Sequence, residues 1–228
     1  MEKGGEPGFK KVEGYIHAIC ISTNDVVVHG IPTEYRLKEG DKVGIDCGVF
    51  YKGFHTDMAQ TIVVRGPVKS NPSRQGSHSL HAVGNPSSFA TPHTEVDRFL
   101  KTGERAMWEG IKAAKAGNRV GHISKAIQSV IEGQGYSVVR SLIGHGVGKE
   151  LHEDPEVPGF LDVPLGRTPE LKEGMTIAVE AIYNMGKRDV VYSGGDGWTI
   201  KTKDGSLAGL FERSIVITKE GSEVLTQK

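Results

Sequence analysis

Residues 43–64, VGIDCGVFYKGFHTDMAQTIVV, read as two β-strands joined by a tight turn. Both runs are rich in β-branched and aromatic residues, which favour a pleated, half-buried surface. Yet each carries an aspartate, Asp46 and Asp57. A buried carboxylate without a partner is costly, and buried charges in proteins are paired or bind metal. A turn centred between Tyr51 and Lys52 sets opposite one another residues whose numbers sum to 103, as those of Asp46 and Asp57 do. Facing residues have Cβ atoms about 4.5–5.5 Å apart on one sheet face. Two like charges so placed repel unless a cation lies between them. A surface or turn-stabilising pair of aspartates would account for this hairpin taken alone.

The same anomaly recurs further along. Glu180 sits in TIAVEAIY and Glu212 in GLFERSIVIT, both runs that otherwise read as buried strand. One such acid is commonly an edge position or the partner of a core arginine. Four in four strand-like runs call for one shared explanation, and a metal site supplies it. GHGVGKELHEDPEVPGF (144–160) offers nitrogen: His145 lies between two glycines, which let backbone or ligand approach closely, and His152 follows seven residues later. His29 ends the apolar run VVVHGIP at a turn. Each histidine alone is more often structural than ligating. Four carboxylates with one imidazole suit two divalent ions of the Mn, Fe, Co or Zn kind rather than a thiolate zinc site. Two such ions about 3.5–4 Å apart would share a bridging water or hydroxide, a nucleophile at neutral pH.

The surrounding organisation is strands, then helices, then strands, which predicts an α+β fold with antiparallel sheet. AICISTNDVVVHGIP (18–32) reads as a short hairpin about Asn24-Asp25. Val96, Phe99, Leu100, Met107 and Ile111 repeat at helical spacing behind Thr94, a predicted N-cap. Ile123, Ile127, Val130 and Ile131 mark a second helix, stopped by Gly133 and Gly135. Strands are predicted in 173–184, 197–203 and 209–221. Residues 66–93 hold six Ser and four Pro with little periodicity and are expected to be a loop insertion within a single domain of 228 residues. Their histidines, His78, His81 and His93, are expected to be solvated.

Basic and acidic residues balance at 28 each, which argues against nucleic acid or an anionic membrane as the main partner. No apolar run approaches the roughly 18 residues of a membrane span, and MEKGGEPGFKK holds no signal-peptide core. Two cysteines, Cys20 and Cys47, build no disulfide framework, and a cytoplasmic location is expected.

CISTNDVVVHGIP, GIDCGVFYKGFHTDMAQT, GHGVGKELHEDPEVPGF, GMTIAVEAIYN and GWTIKTKDGSLAGLFERSIVIT together resemble the signatures of type I methionine aminopeptidases, five motifs in the family's order. The resemblance implies the pita-bread fold, with two pseudo-symmetric halves around a dinuclear site. It implies that Asp46, Asp57, His145, Glu180 and Glu212 hold two divalent ions (Co, Mn, Fe or Zn), with Asp57 and Glu212 bridging. It makes His29 and His152 the substrate-contacting histidines, Glu180 the general acid/base, and Tyr15, Cys20 and Trp198 walls of a methionine pocket. The implied substrates are N-terminal methionines of peptides and nascent chains with a small second residue. Ribosome contact follows from that role, and a monomer is expected.

Three departures accompany the resemblance. About a dozen residues precede EGYIHAICIS where the family carries helices, so the sheet is expected to lose cover and expose apolar surface. The 66–93 segment replaces a short connection. Arg213 follows Glu212 where the family usually has His, and Val12 and Leu151 stand where aromatic pocket residues are common, which predicts a looser methionine pocket. The competing readings are a related peptidase cutting Xaa-Pro bonds, and a catalytically dead binding module of the same fold. VVVHGIP favours methionine removal, and retention of all five ligand positions speaks against the dead module.

Overall fold

The computed structural model describes residues 4–66 and 94–226; the expected insertion falls almost entirely outside them. The chain opens with β1 (Glu6–Pro7), a 3₁₀ turn over Gly8–Lys11, β2 (Cys20–Thr23) and β3 (Val26–Val28). The quoted stretch forms β4 (Lys42–Tyr51) and β5 (Phe54–Val63). Two helices follow, α1 (Glu95–Ala113) and α2 (Val120–Glu132). The remainder is β6 (Ser137–Val138), β7 (Gly144–Gly146), β8 (Glu153–Val157), β9 (Thr176–Asn184), β10 (Val190–Tyr192), β11 (Ile200–Thr202), β12 (Ala208–Ile217) and β13 (Ser222–Val224).

The main sheet runs β1-β4-β5-β12-β9-β7-β8, with β2 on β4, β13 on β12 and β6 on β9; β10-β11-β3 form a second, three-stranded sheet. All its ladders are antiparallel. β12 and β5 bring the two long hairpin units edge to edge, so residues far apart in sequence meet at the middle of the sheet.

The β4–β5 register differs from the expected one. The turn is Lys52-Gly53, both with positive φ (50° and 88°), the conformation of a two-residue hairpin turn that twists with its strands. Facing residues therefore sum to 105: Asp46 lies opposite Ala59 and Asp57 opposite Gly48. The aspartates are diagonal neighbours, still on one face because the shift is an even number of residues. The 18–32 expectation also changes. Asn24 does turn the chain (φ 54°), but β2 pairs with β4 and β3 with β11, so the two strands enter different sheets.

Strand alternation assigns two faces. From β9 and β12, Ile177, Val179, Tyr183, Phe211, Ile215 and Ile217 point to one side, where α1 and α2 cover them with Phe99, Met107, Ile111, Ile123, Ile127 and Ile131. Helix α1 starts at Thr94, whose hydroxyl accepts from the Asp97 N–H in a reciprocal capping box. Tyr183 is fully buried, wedged between Gly103 of α1 and Gly209 of β12, with its hydroxyl donating to the Phe99 carbonyl at 2.6 Å. The corresponding outer face of β4–β5 has no helix over it among the described residues. Ile45, Val49, Tyr51, Phe54 and Ile62 are exposed there.

Candidate metal centre and adjoining pocket

On the other face the acids stand in two cross-strand rows. One runs Asp46, Ala59, Glu212, Glu180 across β4, β5, β12 and β9. The next carries Gly48 and Asp57 on β4 and β5, then Ser214, Ala178 and His145 on β12, β9 and β7. The small residues Gly48, Ala59, Ser214 and Ala178 are interspersed among the ligand-type residues. His145 reaches its place because its flanking glycines admit two other backbones: a Cβ on Gly144 would lie 2.5 Å from the Ala178 oxygen, and one on Gly146 2.2 Å from the Asp154 oxygen. Close approach, not an unusual φ, is what these glycines provide.

Ligand atoms of Asp57, His145 and Glu212 all fall within 4.8 Å of one another. Asp46, Glu180, His29 and His152 line the same pocket of about 130 Å³. The four acids are 91–97 % buried by exposure (9, 5, 8 and 3 % exposed for Asp46, Asp57, Glu180 and Glu212). No ion pair among the described residues involves any of them. Burial pushes all four carboxyls upward, and neighbouring acid charges add to it for three: Asp57 rises to about 7 through burial, Glu180 to about 8 through burial and the Asp57 charge, and Asp46 and Glu212 well above the carboxylate range. One buried oxygen each of Asp46 and Asp57, Oδ1, has no hydrogen-bond partner. Orphaned acceptors, four uncompensated acids and one imidazole are the donor set of a divalent-cation site. His145 Nδ1 lies 2.8 Å from the Gly146 carbonyl, which fixes the Nδ1–H tautomer and leaves Nε2 free for a cation. Burial lowers the His145 pKa to about 4, so the ring is neutral.

β5 and β12 share only two backbone pairs, at Ala59/Glu212 and Met58/Arg213. Hydroxyls replace the flanking rungs. Ser214 Oγ accepts from the Asp57 N–H and donates to the Asp57 carbonyl, both at 2.8 Å. Thr61 Oγ1 does the same for Leu210, at 3.0 and 2.7 Å. The central strands are thereby held slightly apart directly under the acids. Arg213 points to the opposite face, where its guanidinium donates to the Ala59 carbonyl and to Gln60 Oε1.

A second cavity of about 90 Å³ abuts the first and shares His29, Asp46, Asp57 and His152 with it. Its other walls are Phe9, Val12, Tyr15, Cys20, Leu151 and Trp198, so all three residues expected to wall a methionine pocket are present. The Tyr15 and Trp198 rings meet edge to face at 5.1 Å, and the Tyr15 hydroxyl approaches Cys20 Sγ at 3.1 Å. Burial and the Asp46 charge raise the Cys20 thiol to about 12, so it stays protonated. His29 has a left-handed backbone (φ 55°), and burial and His152 lower its pKa. His152 is exposed at the mouth, its ring 4.3 Å from that of His145. Phe9 was not foreseen. It enters the wall from the 3₁₀ turn, placed there by the two-residue β1–β4 ladder, and packs on Gly48, where a Cβ would lie 3.0 Å from its ring.

The buried cluster of acids with one histidine thus adjoins an apolar pocket. The chain belongs to metallopeptidase family M24, which it matches over residues 1–219. Within it, the chain is similar to methionine aminopeptidases. It is 40 % identical to that of Clostridium perfringens, over 98 % of this chain and 78 % of the relative. It is 37 % identical to methionine aminopeptidase 1 of Bacillus subtilis, over 99 % and 80 %. The crystal structure of the Thermotoga maritima methionine aminopeptidase superposes with a TM-score of 0.82 at 36 % identity, covering 98 % of this chain and 79 % of that one. The prolidase of Pyrococcus horikoshii, at 24 % identity and a TM-score of 0.63 (92 % of this chain, 47 % of that one), shares the fold alone. The expected α+β pita-bread architecture is thus present. No helix among the described residues is long and apolar enough to cross a membrane.

Proposed function

We propose that the chain acts as one catalytic unit that removes N-terminal methionine from peptides and nascent proteins, with a small second residue preferred. The observation that carries this reading is the shared wall: His29, Asp46, Asp57 and His152 line both the acid cluster and the apolar pocket. A substrate with its first side chain in the pocket has its α-amino group and first carbonyl at the acids. Two divalent ions (Co, Mn, Fe or Zn) held by Asp46, Asp57, His145, Glu180 and Glu212 would supply Lewis acidity and lower the pKa of a water.

The chain's own residues do the rest. Glu180, ionised once it holds a cation, would take a proton and return it to the leaving amine. His152, at the mouth, donates a ring N–H to the developing oxyanion. His29 is held neutral and contacts the substrate where the two cavities join. Tyr15, Cys20 and Trp198 grip the methionine side chain and exclude water. The reading extends to a cytoplasmic monomer that meets its substrates at the ribosome.

The test is a peptidase assay on metal-stripped protein refilled with Mn or Co, comparing Met-Ala-Ser with an Xaa-Pro peptide and with Asp57→Asn as control. Release of Met from the first peptide only, lost in the variant, is the expected result. Cleavage of the Xaa-Pro peptide alone would replace this substrate assignment with the prolidase one.

A further inference from the structure

Lys42 is the first residue of β4, on the same face as Asp46, and only 1 % exposed. No carboxylate forms an ion pair with it among the described residues; the nearby Asp25 faces Lys201 at 3.7 Å. Its Nζ instead donates to two carbonyls of the β2–β3 turn, Val26 at 2.9 Å and Ser22 at 3.1 Å. Its backbone joins the same turn: Asn24 N–H donates to the Lys42 carbonyl at 2.9 Å, and Lys42 N–H to Asn24 Oδ1 at 3.0 Å. Four hydrogen bonds from one residue therefore fix residues 22–26.

What they fix leads to the active site. Ser22, held through its carbonyl, accepts with Oγ from the Gly30 N–H at 3.4 Å, and Ile21 N–H donates to the Gly30 carbonyl at 2.8 Å. Both ends of β3 are thus anchored to one small loop, and His29 lies between Val28 and Gly30. His29 needs such support, because a left-handed backbone at a residue other than glycine persists only where its surroundings over-determine it.

We propose that Lys42 is a positioning residue for the peptidase reaction, setting the place and ring orientation of His29 through the Ser22–Val26 turn. This rests on the reading above that His29 contacts substrate. Burial lowers the Lys42 pKa to about 7. A neutral amine keeps two N–H donors, so the tether survives deprotonation. The side chain's role here is its donors and its reach.

Lys42→Met keeps an unbranched chain, one atom shorter, and removes the donors to both carbonyls. In the metal-loaded enzyme it should lower kcat on Met-Ala-Ser about tenfold, the order expected of a sub-ångström displacement near the chemistry. In a His29→Ala background the same change should have no further effect on kcat, since residues acting as one unit are non-additive. In the metal-free protein, NMR should find the His29 ring signals shifted by Lys42→Met while those of His122 stay in place. Ser22→Ala serves the same cycle should Lys42→Met not fold. A full tenfold loss in the His29→Ala background, an unchanged kcat, or unmoved His29 signals would each overturn the proposal. Wild-type protein inert towards Met-Ala-Ser would instead overturn the functional reading, and the NMR comparison would still decide the role of Lys42.

Discussion

Loading the acid cluster with a divalent ion should expel protons, in a number the site itself sets. At pH 7 a carboxyl with a pKa of about 8, as for Glu180, is about 0.9 protonated, and one of about 7, as for Asp57, about 0.5. A ligating carboxylate must be ionised. These two residues therefore release on the order of one proton at pH 7 and far less at pH 9. Asp46 and Glu212, also raised, add to the release. The sign for stability follows. The metal-free folded chain holds protons that the unfolded chain has lost above about pH 4, so these acids make it less stable as pH rises towards 8. Lys42, with its lowered pKa, acts in the opposite direction above pH 7. The clean comparison is therefore metal-loaded against metal-free protein at one pH. Calorimetric titration with Mn in two buffers of different ionisation enthalpy counts the protons. Release of fewer than about half a proton at pH 7, or equal release at pH 7 and 9, would refute the claim that burial and repulsion hold these acids protonated.

Four further outcomes follow from the packing. Gly103→Ala puts a Cβ 2.4 Å from the fully buried Tyr183 ring, so it should destabilise by about 3 kcal/mol in urea denaturation. Ser214→Ala leaves the Asp57 backbone pair unsatisfied; it should cost about 1–3 kcal/mol and reduce metal content by elemental analysis. Thr61→Ala, which loosens Leu210 instead, should cost as much while leaving the metal in place. Trp198→Ala opens the apolar pocket proposed to hold methionine, so KM for Met-Ala-Ser should rise about tenfold with a smaller change in kcat, read from steady-state kinetics.

The acids were legible because charge inside a β-branched run is an anomaly that sequence displays directly. Their rows were not. The 46/57 pairing depended on a turn, and Lys52-Gly53 was misplaced by one residue although Gly at the second turn position is the signal for it. Ala59, Ala178 and Ser214 looked ordinary in sequence; their importance comes from their places beside the acids and His145 on neighbouring strands. Trp198 and Tyr15 entered through the family resemblance, whereas Phe9 depends on a two-residue ladder that no periodicity reveals. The turn at Asn24 was visible, but whether its strands pair is decided by β4 and β11, which compete for them.

The arrangement of the acids also bears on how the protein is made. Asp46 is the first of the set in chain order and Glu212 the last, and β12, which carries Glu212, is the strand that joins the two hairpin units. During synthesis every earlier acid waits for this strand. A chain cut short before it has three acids and a histidine but no centre to gather them, and its β5 edge lies open to other strands. Ion capture by the full set would thus await a polypeptide translated through β12.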